Sequence, residues 1–203
     1  MSAQWRRWET APRFLPLLGV LIGALGGAVY WLGAQIWPTS IAVVLSMLAT
    51  ALLFAGVGLG ADASAGGQAP SPGLLGFVFG VLVKYNALMA LSAANLLFAL
   101  PANLALGLIM IAGQAASCAL FVSSMKLASR GDLAIALALG FAPAALIGIP
   151  GLIGLVAAII ARIVFVIPIR RNRQSVTAAK LDATRQLTEV CFYLGALATW
   201  AYI

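Results

Sequence analysis

Apolar residues run along this chain in long blocks, and most polar residues fall between the blocks. A helix that crosses a bilayer takes about 20 consecutive, mostly apolar residues. The pattern predicts seven such helices, over 14–36, 39–58, 74–100, 103–124, 133–149, 152–169 and about 186–203. Pro38, Pro101 and the pair Pro150-Gly151 stand between blocks, where a missing N–H or a free φ breaks a helix. Pro143 sits inside the fifth block and predicts a kink there. The last three blocks are short, so six spans with one re-entrant segment fit as well. Gly19, Gly23, Gly26 and Gly27 give the first helix a small-residue packing face. The fold class is all-α, a polytopic transmembrane bundle, with residues 1–203 as one membrane domain and no heptad or long repeat.

Composition agrees. Of 203 residues, 63% are hydrophobic and only 8% charged, against about 25% charged in a soluble domain. No small-residue cleavage site followed by a polar mature domain follows the first block, so it reads as a span rather than a secretory leader.

Charge then orients the bundle. Seven spans put residues 1–13, 59–73, 125–132 and 170–185 on one side. Ten of the twelve cations lie there: Arg6, Arg7, Arg13, Lys126, Arg130, Arg170, Arg171, Arg173, Lys180 and Arg185. The connections near Pro38, Pro101 and Pro150 carry none. Cytoplasmic loops are the basic ones, which places the N-terminus in the cytoplasm. Residues 1–13, with Trp5 and Trp8 beside Arg6 and Arg7, read as an interfacial segment in the headgroup layer. Residues 170–185 read as a basic cytoplasmic loop. The net charge of +7 is thereby a membrane signature, with lipid as the partner and no nucleic acid.

Candidate chemistry is sparse. The absence of histidine removes the usual triads and nearly every zinc site. Cys118 and Cys191 lie in apolar blocks and read as small core residues. Lys84 lies near the middle of the third span, where a cation costs about 2.5–3.5 kcal/mol, so it should face the bundle interior. It is either functional or half of a structural ion pair. Arg162 is nearer the cytoplasmic end of its span and can snorkel out. In the last segment Asp182, Arg185, Gln186 and Glu189 follow i, i+3, i+4, i+7 spacing and share one helix face. Glu189 either pairs locally with Arg185 or faces a cavity where it meets Lys84. Asp132 after Gly131 reads as a cap of the fifth helix. Asp62 lies in a glycine-rich loop that is no P-loop, since no Gly-Lys-Ser/Thr follows.

Three places carry a resemblance to a known family: the Pro16…Gly19…Gly23 pattern of the first span, Gly73-Leu74-Leu75-Gly76 running into the span that carries Lys84, and Thr177, Leu181, Ala183 and Glu189 toward the C-terminus. In these the chain resembles the cobalamin synthase family, the adenosylcobinamide-GDP ribazoletransferases. It departs from that family at an aspartate-rich signature after the second span, where only Asp62 remains, and at Ala178-Ala179, where the family has Gly-Asp. The resemblance implies an inner-membrane transferase that joins α-ribazole to adenosylcobinamide-GDP and releases GMP. It implies Mg²⁺ as cofactor with Asp62 as its ligand, and Lys84 and Glu189 as catalytic groups of the cavity. Arg170, Arg171, Arg173, Thr177 and Lys180 then meet the phosphates of a corrinoid nucleotide, which basic side chains can hold without metal. Two other outcomes stay open. One is a catalytically degenerate relative that binds a corrinoid intermediate, forms a homo-oligomer or pairs with a complete enzyme. The other is a small permease-like bundle.

Overall fold

A computed structural model describes residues 12–56, 72–94, 101–123, 129–171 and 178–200, without the side chains of 72–77, 102–103, 166–171, 178–181 and 200. A 3-10 turn at Pro12–Phe14 leads into α1 (Leu15–Ile36). Then come α2 (Thr39–Gly56), α3 (Pro72–Ala93), α4 (Ala102–Val122), α5 (Arg130–Ile147), α6 (Ile149–Arg171) and α7 (Ala178–Trp200). All seven expected helices are present, and no strand occurs among the described residues.

The helix ends follow local chemistry. Pro38 and Pro101 stand just ahead of α2 and α4, where their carbonyls accept the first helical N–H bonds and a missing N–H is no loss. Ser129 is the N-cap of α5. Its hydroxyl accepts from the Asp132 N–H at 3.1 Å, while Asp132 Oδ2 accepts from the Ser129 N–H at 3.3 Å. Asp132 therefore caps this helix as expected, as the second half of a reciprocal box. Between α5 and α6 the break falls at Gly148, with φ +85°, a conformation that favours glycine. Pro150-Gly151, expected to be the breaker, instead lies in the first turn of α6, a position proline suits. The basic loop expected over 170–185 is shorter than apolarity suggested. α6 continues to Arg171 and α7 already begins at Ala178, because the polar residues after it have helical spacing and good helix propensity.

α4 is the central helix. Buried residues make up 83% of its most apolar stretch, against 22–44% in α1, α2 and α5. α1 lies antiparallel along it through glycines. Gly19 faces the Gln114 carbonyl, Gly23 the Ile111 Cα and Gly27 the Gly107 Cα, so steps forward along α1 run backward along α4. Ser46 of α2 donates to the Gly26 carbonyl of α1 at 2.8 Å, tying the first two helices together. α6 packs on α7 with Gly154 against Phe192 and Gly195 against Ala157.

One apolar cluster gathers Leu15, Phe54, Phe121, Val122 and Ala136. These mark the start of α1, the ends of α2 and α4, and the start of α5. The starts of α1 and α5 and the ends of α2 and α4 therefore lie at one side of the bundle, as the charge asymmetry requires. Around this core the bundle exposes a broad apolar rim, including Leu21, Leu25, Leu52, Phe79, Val156 and Ile163. A soluble monomer rarely exposes so much contiguous apolar surface. Four of the helices are long and apolar enough to cross a membrane, and Val78–Ala93 and Ile149–Phe165 are shorter apolar stretches. The protein is a multi-pass helical membrane bundle.

The α1–α4 seam yields a prediction. A Cβ at Gly23 would stand 2.7 Å from the Ile111 Cα, whereas one at Gly80 meets nothing within 4 Å. Gly23→Ala is expected to destabilise the purified protein by about 1–3 kcal/mol, as overpacking does. Gly80→Ala should be neutral or slightly stabilising, since alanine is the better helix former. Thermal unfolding in detergent compares the two.

Candidate functional site

Glu189 is the hub of a buried polar cluster where α3, α4 and α7 meet. Its residue exposure is 1%. A carboxylate in such surroundings must be compensated by opposite charge and hydrogen bonds. Oε1 receives three donors: Lys84 Nζ of α3 at 2.5 Å, Gln114 Nε2 of α4 at 2.7 Å and the Tyr193 hydroxyl of α7 at 2.9 Å. Oε2 lies 3.8 Å from Arg185 Nη1, one turn back on α7.

Helical spacing assembles this from a short piece of sequence. Asp182, Arg185, Glu189 and Tyr193 lie three or four residues apart and form one stripe of α7. Arg185 turns its Nε and Nη2 onto Asp182 Oδ1, at 3.1 and 3.0 Å. Gln186 Nε2 fills Asp182 Oδ2 at 2.9 Å. The guanidinium also lies over the Phe54 ring of α2, 3.7 Å from its centre, a close cation–π contact. Its Nη1 reaches Gln114 Oε1 at 3.4 Å. Gln114 thus joins the two halves of the cluster, with its amide NH₂ on the acid and its carbonyl toward the base.

Glu189 makes both of the contacts that the sequence offered it: Lys84 turns inward onto Oε1, and Arg185, hydrogen-bonded to Asp182 and Gln114, lies within ion-pair reach of Oε2. Four formal charges, Lys84, Arg185, Asp182 and Glu189, cancel within the cluster. Arg162 departs from expectation. It is buried at 7% exposure, and its Nη2 and Nε donate to the Ser123 hydroxyl at 3.0 and 3.3 Å. The acceptor at the end of α4 lies level with it, so the side chain turns inward instead of snorkelling to water. Cys118 and Cys191 are free thiols, as read from their setting.

The other expected site residues are not brought to this cluster by any described contact. Asp62, Arg173 and Thr177 lie outside the described residues. Arg170 and Arg171 end α6 and Lys180 lies in the first turn of α7, with side chains also outside them. Gln114 and Tyr193 were missed as partners of Glu189. Their signals were a lone amide within an apolar block and a tyrosine four residues beyond the acid. Two open grooves are apolar. One of about 530 Å³ lies between α3 and α7, with Phe79, Leu82 and Leu194 in its walls. The other, of about 410 Å³, lies between α1 and α4 and includes Trp31. Neither includes a member of the polar cluster.

Magnesium prefers carboxylate oxygens in octahedral geometry, usually with substrate phosphates and water. Among the described residues no three His, Cys, Asp or Glu side chains converge. Asp182 and Glu189 are already committed to cations and amides. This donor set does not fit the ion.

The pairing can be measured. Removing one partner of a buried pair typically costs about 3–5 kcal/mol, because the other is left uncompensated. Lys84→Met should therefore destabilise the bundle by up to that amount, less whatever water reaches the partly exposed lysine. Lys84→Met combined with Glu189→Gln should recover at least about 1 kcal/mol relative to additivity, as coupled neighbours do. Strict additivity in a denaturation series would mean that the pair carries no mutual stabilisation.

Comparison with known proteins agrees with the resemblance read from the sequence. The family model of cobalamin-5-phosphate synthase matches residues 2–63. A protein of Ralstonia nicotianae named adenosylcobinamide-GDP ribazoletransferase is 34% identical over 132 residues, covering 56% of this chain and 48% of that protein. One of Ralstonia pickettii with the same name is 33% identical over 134 residues, covering 57% and 49%. A third, of Leptothrix cholodnii, is 46% identical over 48 residues, covering 24% and 18%. The chain thus spans about half the length of its Ralstonia relatives and less of the third. No solved structure matches. With the residues that carry the likeness, these matches show a chain similar to the cobalamin synthase family over part of its length.

Proposed function

We propose that this chain is a membrane transferase of the last steps of cobalamin biosynthesis, joining α-ribazole to adenosylcobinamide-GDP with release of GMP. The observation that carries this is the similarity to the two Ralstonia ribazoletransferases over 132 and 134 residues. The buried cluster supports it, because ionisable groups at membrane depth are functional by default. In this reading a ribazole hydroxyl attacks the phosphorus on the cobinamide side of the diphosphate. The bond to the bridging oxygen breaks, GMP leaves with that oxygen, and the hydroxyl proton is released to water.

The chain's part is to bind and orient. Lys84 and Glu189 are the polar groups at the heart of the bundle. Arg170, Arg171, Arg173, Thr177 and Lys180 supply cations and a hydroxyl for the phosphates from the segment that joins α6 and α7. Asp62 is the residue that would hold magnesium, together with the substrate's own phosphates, and the ion would neutralise charge on the phosphoryl oxygens. The inner membrane of a bacterial cell is the matching location, with the N-terminus in the cytoplasm.

A second reading has one observation in its favour. Both carboxylates of the cluster are saturated by protein donors, which suits a relative that binds a corrinoid nucleotide, or pairs with a complete enzyme, without turnover. Two experiments separate these readings. Expression in a bacterial strain lacking its cobalamin synthase should restore growth that depends on corrinoid completion. The purified protein in detergent should form product in the presence of Mg²⁺, and Asp62→Ala should abolish it. Co-purification with a complete enzyme but no product from either assay would establish the second reading instead.

A further inference from the structure

Within the polar cluster the four charged groups are not equivalent. The side chains of Arg185, Asp182 and Glu189 are 4%, 2% and 2% exposed, whereas that of Lys84 is 14% exposed. Arg185 is enclosed: Asp182 holds two of its N–H groups, Gln114 a third, and Phe54 covers its face. An ammonium has three N–H donors. Lys84 has one described hydrogen-bonding partner, Glu189 Oε1, and its other close neighbour is the Tyr193 ring at 5.9 Å. Two of its donors therefore have no described partner, and they belong to the most accessible member of the cluster.

The placement of Lys84 depends on Glu189, and Glu189 is aimed by two neutral groups. Gln114 can lie only one way. Its NH₂ faces the carboxylate and its carbonyl the guanidinium, and a reversed amide would set oxygen against oxygen and donor against donor. Tyr193 holds the same oxygen from within α7. Together they fix the rotation of the carboxylate, so that Oε1 meets Lys84 and Oε2 faces Arg185.

We infer that Gln114 and Tyr193 are positioning residues that aim Glu189 at Lys84, and that Lys84 so held is a binding point for a phosphate-bearing anion. The inference rests on the proposed transferase only for the nature of the anion. The cation is compensated by Glu189, is the most exposed charged side chain of the cluster, and keeps two donors without a described partner. The cluster is neutral before the anion arrives, and a phosphate oxygen adds a charge-assisted bond to a donor that needs no reorganisation.

The test uses the full chain in detergent, with inorganic pyrophosphate and GMP as probes. Calorimetry should show binding by the wild type that is lost in Lys84→Met and partly restored in Lys84→Arg. Tyr193→Phe removes one hydroxyl with no change of shape, and it and Gln114→Leu should each weaken binding about tenfold, as loss of one bond to a charged group does. The second readout is infrared. The Glu189 carboxylate band, identified by its disappearance in Glu189→Gln, should shift in Tyr193→Phe and Gln114→Leu, and again when pyrophosphate binds the wild type. A band unmoved by either substitution overturns the positioning role, even if stability falls. Binding absent in the wild type, or unchanged in Lys84→Met, overturns the anion site and assigns any phosphate contact to the 170–173 arginines. Anion binding that behaves as described, without ribazole transfer, upholds this inference and rejects the catalytic function instead.

Discussion

A carboxylate sealed among apolar helices is tolerable only when opposite charge and hydrogen bonds surround it. Glu189 meets that condition with donors from three helices, Lys84 on α3, Gln114 on α4 and Tyr193 on α7. The constraint works in both directions. The acid needs the donors, and the donors fix how the three helices lie relative to one another. Apolar packing between lipid-facing helices has no such directionality, because lipid tails are as apolar as leucine. Register in this part of the bundle is therefore set by a polar hub, while the α1–α4 seam is set by shape, glycine against backbone.

These two devices divide the work along α4. One face of the helix is kept flat by the approach of α1, down to Gly107 opposite Gly27. The other presents Gln114 to α7. α1 comes close on one side of α4, and the Gln114 amide is buried at 1% exposure. It must find protein partners, and it finds an acid and a base together. The same logic explains why α7 is polar in its first half and yet buried. Its stripe of Asp182, Arg185 and Glu189 is neutralised by its own members and by Lys84, so the helix can enter the bundle without carrying net charge into it.

Much of this was legible in the sequence. Seven apolar blocks gave seven helices, and the alternation of basic and uncharged connections matches the ends gathered around Leu15, Phe54, Val122 and Ala136. The i, i+3, i+4, i+7 spacing placed the polar face of α7, and the cost of burying Lys84 turned it inward. The errors have physical causes. Hydropathy marks where a helix is apolar, so it placed the start of α7 near Gln186 instead of Ala178. Position along a span does not say what stands beside it, so Arg162 was expected to reach water when Ser123 was near. Gln114 and Tyr193 were missed as partners of Glu189 because that partnership crosses 75 residues in one case and sits within a single turn in the other. Only packing selects the first, and a tyrosine in an apolar helix has an ordinary core role.

The family-model match and the geometry of the hub concern different parts of the same chain. The family model falls on residues 2–63. The polar hub is built chiefly from α3, α4 and α7, beyond that region. They meet where Gly19 backs onto the Gln114 carbonyl and where Phe54 lies beneath the Arg185 guanidinium. Phe54 ends α2, directly before the segment that contains Asp62. A cation held over that ring ties the last turn of α2 to the charged stripe of α7, so the base of the loop expected to carry the metal ligand is anchored to the helix that carries Glu189. Whatever ligand the 57–71 segment meets, one of its two ends is fixed to the neutral cluster by a contact that has no metal in it.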